Sequence, residues 1–194
     1  MRTPDQITVD RALLITLLDL AQSGAVSENP HQPPLTDVKL QQLAFLCELE
    51  MFNKGIKGFH FEFFRFAYGA FSKDLDNDLL LLRRKGRVEN FRVTEEAREV
   101  MTLLEEASRH VEANEQTLAI LEAVVTHYGP QDTGAITQSV EAVELSTTHH
   151  PEVKLAIRDI SFHSSLLVPH RIEVQSEFTL PRDVLAKLRT AMGY

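Results

Sequence analysis

Two groups of charged residues bracket one predicted helix. Asp74, Asp76 and Asp78 stand at its start, Arg83, Arg84 and Lys85 at its end, and Arg87 and Arg92 follow. Such a cation cluster suits phosphate or an acidic partner, and it equally suits a helix C-terminus, where the macrodipole is negative. The aspartates suit the N-terminus for the same reason. They also oppose duplex DNA, because the first residues of a recognition helix approach the bases and phosphates, and carboxylates there carry the wrong sign.

The other residue types with chemical potential are less usefully arranged. Eight of the eleven phenylalanines fall between Phe45 and Phe71. Phe59, Phe61 and Phe63 alternate, and Phe64, Phe66 and Tyr68 alternate in the opposite phase. A stacking platform for single-stranded nucleic acid needs interleaved cations. Only Arg65 stands among these rings, beside Glu62, so core packing is the better reading. Of the eight histidines, His149 and His150 with Glu152 come nearest to a metal cluster, but no i, i+4 histidine pair stands on a helix. His163 and His170 lie too far apart to define anything. The single cysteine, Cys47, excludes an internal disulfide and sits on an apolar helical stripe, where a thiol is buried and inert. The chain has no Gly-x-Ser-x-Gly, no phosphate-cradling loop and no dinucleotide fingerprint. Nothing in it points to an enzyme, a metal or a cofactor.

The elements that must position these residues are mostly helices. Thr3-Pro4-Asp5-Gln6 offers a cap, a first-turn proline and a glutamine three residues on, and Val9, Leu13, Leu17 and Leu20 follow at helical spacing up to Gly24. Ala25 to Leu35, with three prolines, reads as a loop. Thr36 caps a second helix, Asp37 to Asn53, which is apolar on more than one side and therefore central. The phenylalanine segment reads as extended chain with a register change. Ser72 then caps a third helix ending at Lys85 and Gly86. Arg87-Val88 and Phe91-Arg92-Val93 form a small wing, turning at Glu89-Asn90. A fourth helix starts at Thr94 and a fifth at Glu115, stopping at Gly129-Pro130. Beyond Gln131 the pattern weakens: short helices at Thr133–Val143 and Val153–Asp159, a strand through Ile172, Val174 and Phe178, and a last helix opened by Pro181.

The net charge of −8 conceals an uneven distribution. Residues 36–94 carry ten Lys/Arg against eight Asp/Glu, and the remainder carries ten against twenty. No apolar run approaches the roughly 18 residues of a membrane span, and the opening residues lack the basic-then-apolar pattern of a signal peptide. A soluble, cytoplasmic protein is expected.

Lys39-Leu40-Gln41-Gln42-Leu43-Ala44-Phe45, Tyr68-Gly69-Ala70-Phe71-Ser72-Lys73-Asp74-Leu75 and Leu82-Arg83-Arg84-Lys85-Gly86-Arg87-Val88 resemble the Panacea (SocA-like) antitoxin family and the related YwgA-like bacterial proteins. Those families share a Lys-Leu-Gln-Lys-Leu-like helix, a Tyr-Gly-Pro turn, where this chain has Ala70, and a helix closing near Gly-Ile or Gly-Val. The resemblance covers about residues 36–110 and implies an α-helical antitoxin or adaptor that binds proteins, with no catalytic residues to carry over.

The expected fold is therefore mainly α, a helical domain with a winged-helix-like β-hairpin and a less regular C-terminal third. Residues 1–129 form the helical domain. Residues 130–194 form an extension that either packs on the same core or folds apart. The expected function is a non-enzymatic regulatory protein, an antitoxin-like neutraliser or adaptor whose contact surface includes Arg65, Tyr68, Phe71, Arg83 and Arg84. Its partner would be a protein, such as a toxin, with a basic surface. The alternative is a winged-helix transcription regulator.

Overall fold

The computed structural model describes residues 1–26, 34–146 and 152–194. Helix α1 (Pro4–Val26) opens on a reciprocal cap: Gln6 N donates to Thr3 Oγ1 (3.2 Å) and Thr3 N to Gln6 Oε1 (2.9 Å). It runs two residues past Gly24, and residues 27–33 of the expected loop lie outside the described residues, as do His149 and His150. Helix α2 (Asp37–Asn53) is capped by Thr36, whose hydroxyl accepts from Lys39 N (3.1 Å). Both helices are buried on most faces, α1 through Ala12 to Ile15, Leu17 and Leu18, and α2 through every residue from Lys39 to Glu48. They form the centre around which the shorter elements pack.

Strands β1 (Ile56–Lys57), β2 (Phe63–Phe66) and β3 (Gly69–Phe71) follow, so the extended segment expected between the second and third helices folds back on itself as a β-hairpin. The extended segment does not change phase as its sequence suggests. Phe59, Phe61 and Phe63 are buried, and Arg65 takes the next inward position, which leaves Phe66 and Tyr68 outside. The irregularity expected near Phe63 and Phe64 is present only in the pairing with a later strand. Helix α3 (Lys73–Arg84) is capped by Ser72, which accepts from Leu75 N (3.4 Å). The wing pairs β4 (Val88–Glu89) with β5 (Arg92–Val93). Its turn is Asn90-Phe91, one residue later than expected, with φ of +46° and +69°, because a two-residue hairpin loop of this hand needs left-handed backbone at both positions. A 3₁₀ turn (Glu95–Ala97) leads into α4 (Arg98–Ser108), and α5 (Glu112–Tyr128) begins three residues before Glu115.

Helix α6 (Thr133–Glu141) is capped by Asp132. Strands β6 (Glu144–Ser146) and β7 (Lys154–Ala156) then pair antiparallel. This corrects the helix expected over Val153–Asp159: its first half is ladder-paired strand, and only Ile157–Asp159 makes a 3₁₀ turn. Strand β8 (Ser165–Leu167) joins β2 and β3 in the order β3-β2-β8. Strand β9 (Ser176–Glu177) lies parallel to β1 and is shorter than the Ile172–Phe178 strand expected. Pro181 precedes the last helix, α7 (Arg182–Ala191). The architecture is mainly helical, with small sheets and a hairpin wing. Among the described residues no helix is long and apolar enough to cross a membrane.

One buried apolar cluster spans the chain, and Ile136, Val140, Ile157, Leu167, Phe178, Leu188 and Met192 belong to it as fully as Leu13 or Leu43. A chain ending at Gly129 is therefore expected to keep helical far-ultraviolet dichroism but lose the sharp urea transition of the full chain. A cooperative transition in the truncated chain would show that residues 1–129 close a core of their own.

Candidate functional site

A helix buried on nearly all faces loses stability for every polar side chain it carries without a partner. Helix α2 carries three in its first turns, and each grips backbone from a different element. Gln42 Oε1 accepts from Ala70 N (3.1 Å) while its Nε2 donates to Ala70 O (3.0 Å). Gln41 does the same at Ser72, accepting from N (2.9 Å) and donating to O (3.1 Å). Lys39 Nζ donates to Gly129 O (2.6 Å) at the end of α5. Burial lowers the Lys39 pKa, and Asp132 partly opposes that shift. The two glutamine amides thus pair with β3 and the residue after it as a neighbouring strand would. Gly69 makes the close approach possible: its φ is +91°, and a Cβ there would lie 2.5 Å from Gln42 Oε1.

The clamped hairpin presents aromatic rings to solvent. Phe66 and Tyr68 are 43% and 63% exposed, and Phe66 packs on Phe71 with ring centroids 5.4 Å apart. His163 joins the same face, its ring 5.8 Å from that of Phe66, while the neighbouring Phe162, 61% exposed, lies over the Arg65 guanidinium. Backbone bonds stitch their loop to the hairpin, from Arg65 N to Ser164 O and from His163 N to Arg65 O (both 2.8 Å). Between this hairpin and the start of α2 lies a groove of about 180 Å³, walled by Val38, Phe66, Tyr68 and Phe71 with Asp37 and Asp76 at its rim.

Of the residues expected on a contact surface, Tyr68 and Phe71 line this groove together. Arg83 stands beside it, 3.3 Å from Asp37, with its guanidinium 4.6 Å from the Phe91 ring. Arg84 is exposed on the last turn of α3, outside the groove. Arg65 is not a surface residue: it is 5% exposed, pairs with Glu141 (2.8 Å), bonds the Phe66 carbonyl and lies 5.1 Å beneath the Phe162 ring. It braces the hairpin from inside. The cation cluster is also partly spent, since Arg87 Nε donates to Ala191 O (2.6 Å) and Lys85 lies over Tyr194. Phe66 and Asp37 also line the groove and were not among the contact residues read from sequence. The His163 ring against Phe66 could not be read from sequence, because nearly a hundred residues separate the two.

The aspartates of α3 need a correction too. Asp78 is buried and paired with Arg2 and Arg11 (both 2.7 Å), and Asp74 lies 3.4 Å from Arg2, so Asp76 alone faces solvent without a cation among the described residues. Arg2 also reaches Asp10 (2.8 Å), whose other oxygen meets His60 Nδ1 (2.8 Å) and the His60 amide (3.0 Å). His60 Nε2 meets Glu177 (2.9 Å). Burial disfavours the His60 imidazolium, but Asp10 and then Glu177 outweigh it and raise the pKa above 6.5. Glu48, fully buried beside this network, has its pKa raised well above the usual carboxyl value chiefly by burial and then by Asp10. Both nitrogens of His60 are committed to carboxylates, so the cluster is built as a lock rather than as a base facing a substrate. Burial, with Glu48 beside it, likewise raises the pKa of the Cys47 thiol. Among the described residues no group of three or more His, Cys, Asp and Glu is placed to hold a metal ion.

Comparison with protein-family models, with curated proteins and with solved structures finds no match to the chain.

Two outcomes are expected of these contacts. Gln42→Met leaves the Ala70 amide and carbonyl bare and should cost about 1–3 kcal/mol in urea unfolding. Gly69→Val should cost more than about 1 kcal/mol, and Asp76→Asn should stay within about 0.5 kcal/mol of the parent. Equal midpoints for all three would mean the clamps do not hold the hairpin. The second outcome concerns pH. Glu48 and His60 both bind protons more tightly folded than unfolded, so their contributions are lost as pH rises, Glu48 from 4.5 upward and His60 from 6.5 upward. The urea midpoint should therefore fall between pH ~6 and ~9, with a shallower slope in Glu48→Gln. A midpoint that rises over that range would reject the assignment.

Proposed function

We propose that this chain is a non-enzymatic regulatory protein that works by binding another protein, as an antitoxin-like neutraliser or an adaptor. The single observation that carries the reading is the aromatic face of the β2–β3 hairpin. Two large rings, Phe66 and Tyr68, stand in water on a hairpin that two glutamine clamps and a buried arginine hold in place. Exposed aromatics on rigid backbone are typical of interface hot spots, since little ordering entropy is lost on docking. The resemblance of the Lys39–Phe45 and Tyr68–Leu75 stretches to Panacea-like antitoxins agrees with this, because those two stretches form the clamp and the face it supports. With a net charge of −8, the chain favours a partner with a basic surface, and charge would act mainly on the association rate.

One observation favours a second reading, a winged-helix DNA-binding regulator. Asp78 is neutralised inside the molecule, while Arg84 and Arg92 are exposed at the end of α3 and on the wing. The objection to phosphate contact thus rests on fewer carboxylates than the sequence suggests.

Affinity capture from the native host, with the parent chain and with Phe66→Asp and Tyr68→Asp, tests the first reading. The parent should retain a protein with a basic surface, and each variant should lose it while unfolding at the parent's urea concentration. Retention by both variants would remove the hairpin face from the interaction. A tight duplex-DNA shift with a steep salt dependence would favour the second reading instead.

A further inference from the structure

A second concave surface lies on the opposite kind of ground, among helices rather than strands. Helix α5 has two apolar stripes. Ile120, Leu121, Val124 and Val125 are buried, whereas Leu118 and Ala119 remain open to a groove of about 740 Å³ shared with α1 and α4. Two helical rows wall this groove at i, i+3, i+4 and i+7 spacing: Arg98, Met101, Thr102 and Glu105 on α4, and Glu115, Leu118, Ala119 and Glu122 on α5. Leu20 of α1 and Leu104 of α4 extend the apolar floor. Parallel side-chain rows with a channel between them are what a third helix packs into. A shallower continuation follows α5 past Ala123 to His127, where the small side chain permits close approach.

The rim chooses among occupants. Asp19 and Glu122 have no cation partner among the described residues, and neither does Glu115, whose carboxylate accepts only the His110 amide (2.9 Å). The two rim arginines are already engaged, Arg98 with Glu95 (2.6 Å) and Arg109 with Glu105 (3.2 Å). An acidic rim repels nucleic acid and anionic lipid. A second copy of a chain with net charge −8 would bring like charge to it. The chain supplies its own example of what fits beside these helices. Helix α7 buries Leu185, Leu188 and Ala191 against α1 and α4, and Arg189 reaches Thr8 Oγ1 (3.0 Å) and the Asp5 carboxylate on α1.

We infer that the α1/α4/α5 groove is a second docking site, separate from the hairpin face, for an amphipathic helix of a partner protein with an apolar stripe flanked by Lys or Arg. Leucines of that stripe would enter between Met101 and Leu118, and the flanking cations would meet Asp19, Glu115 and Glu122. Methionine on one wall suits a helix-accepting surface, because its unbranched thioether adapts to different apolar side chains.

The probe is a fluorescent stapled helical peptide with leucines at i, i+3, i+4 and i+7 and lysines on both flanks, compared with a version carrying glutamates there. The lysine peptide should bind in anisotropy titrations, shift the Met101 methyl resonance, and bind about tenfold more weakly to Ala119→Arg and Glu122→Lys. Both substitutions are at exposed positions and should leave the urea midpoint unchanged. Tyr68→Asp should bind it as well as the parent, so loss of the hairpin face and loss of the groove are separately visible. The inference is overturned if the lysine peptide does not bind, if the glutamate peptide binds equally, or if Ala119→Arg leaves the affinity unchanged.

Discussion

A strand at the edge of a sheet has donors and acceptors on one flank with no strand to take them, and in a buried setting each bare group costs about 1–3 kcal/mol. Strand β3 is such an edge, pressed against α2 where water does not reach. The solution is a primary amide, which offers one acceptor and one donor at nearly the spacing of a peptide unit. Gln41 and Gln42 continue the sheet into the helix in this way, and Asn114 repeats the arrangement at Thr179, donating to its carbonyl (2.8 Å) and accepting from its amide (3.1 Å). Because an amide satisfies both groups only at one distance and one rotation, it fixes the hairpin relative to α2. The position of the exposed rings, and hence any protein contact they make, follows from that constraint.

The ion network does at the other side of α2 what the amides do at the hairpin. Arg2, Asp10, Asp78, Arg11, His60 and Glu177 join the first residues, α1, α3, the extended segment and β9 through bonds of 2.7–2.9 Å. Buried ion pairs of this kind contribute little net stability, since desolvation offsets most of the attraction, but removing one member leaves an uncompensated charge. They specify which elements meet. Glu48 enters the same space with its pKa well above the usual carboxyl value, because burial and then the nearby Asp10 charge disfavour its ionised form.

What the sequence made legible was local. The Thr3/Gln6 cap, the Thr36 and Ser72 caps, the all-round burial of α2, the inert thiol and the existence of the wing all follow from residues within one turn or one hairpin of each other. The Phe59–Tyr68 segment was not legible, because phenylalanine occupies both phases and hydrophobicity alone cannot choose between them. The choice is made by Glu141, far along the chain, which gives Arg65 an inward partner and so turns Phe66 and Tyr68 outward. Asp78 was misread for the same reason: its cations come from Arg2 and Arg11. Lys39, Gln41 and Gln42 were visible as polar residues on a buried helix, which signals that partners exist without saying which backbone they grip.

The pairing of β1 with β9 sets a clock on the making of this protein. Ile56 and Lys57 are polymerised about 120 residues before Ser176 and Glu177, the residues they lie beside. At about 5–20 residues per second that gap lasts roughly 6–24 s. Throughout it His60 has only Asp10 to face, and the edge of β1 has no neighbour of its own chain. Closure must then wait for a parallel contact of high sequence separation, which is slow to find and forms only after the intervening loop entropy has been lost. The helical centre can gather early, but the β1–β9 pair closes only once β9 has followed it off the ribosome.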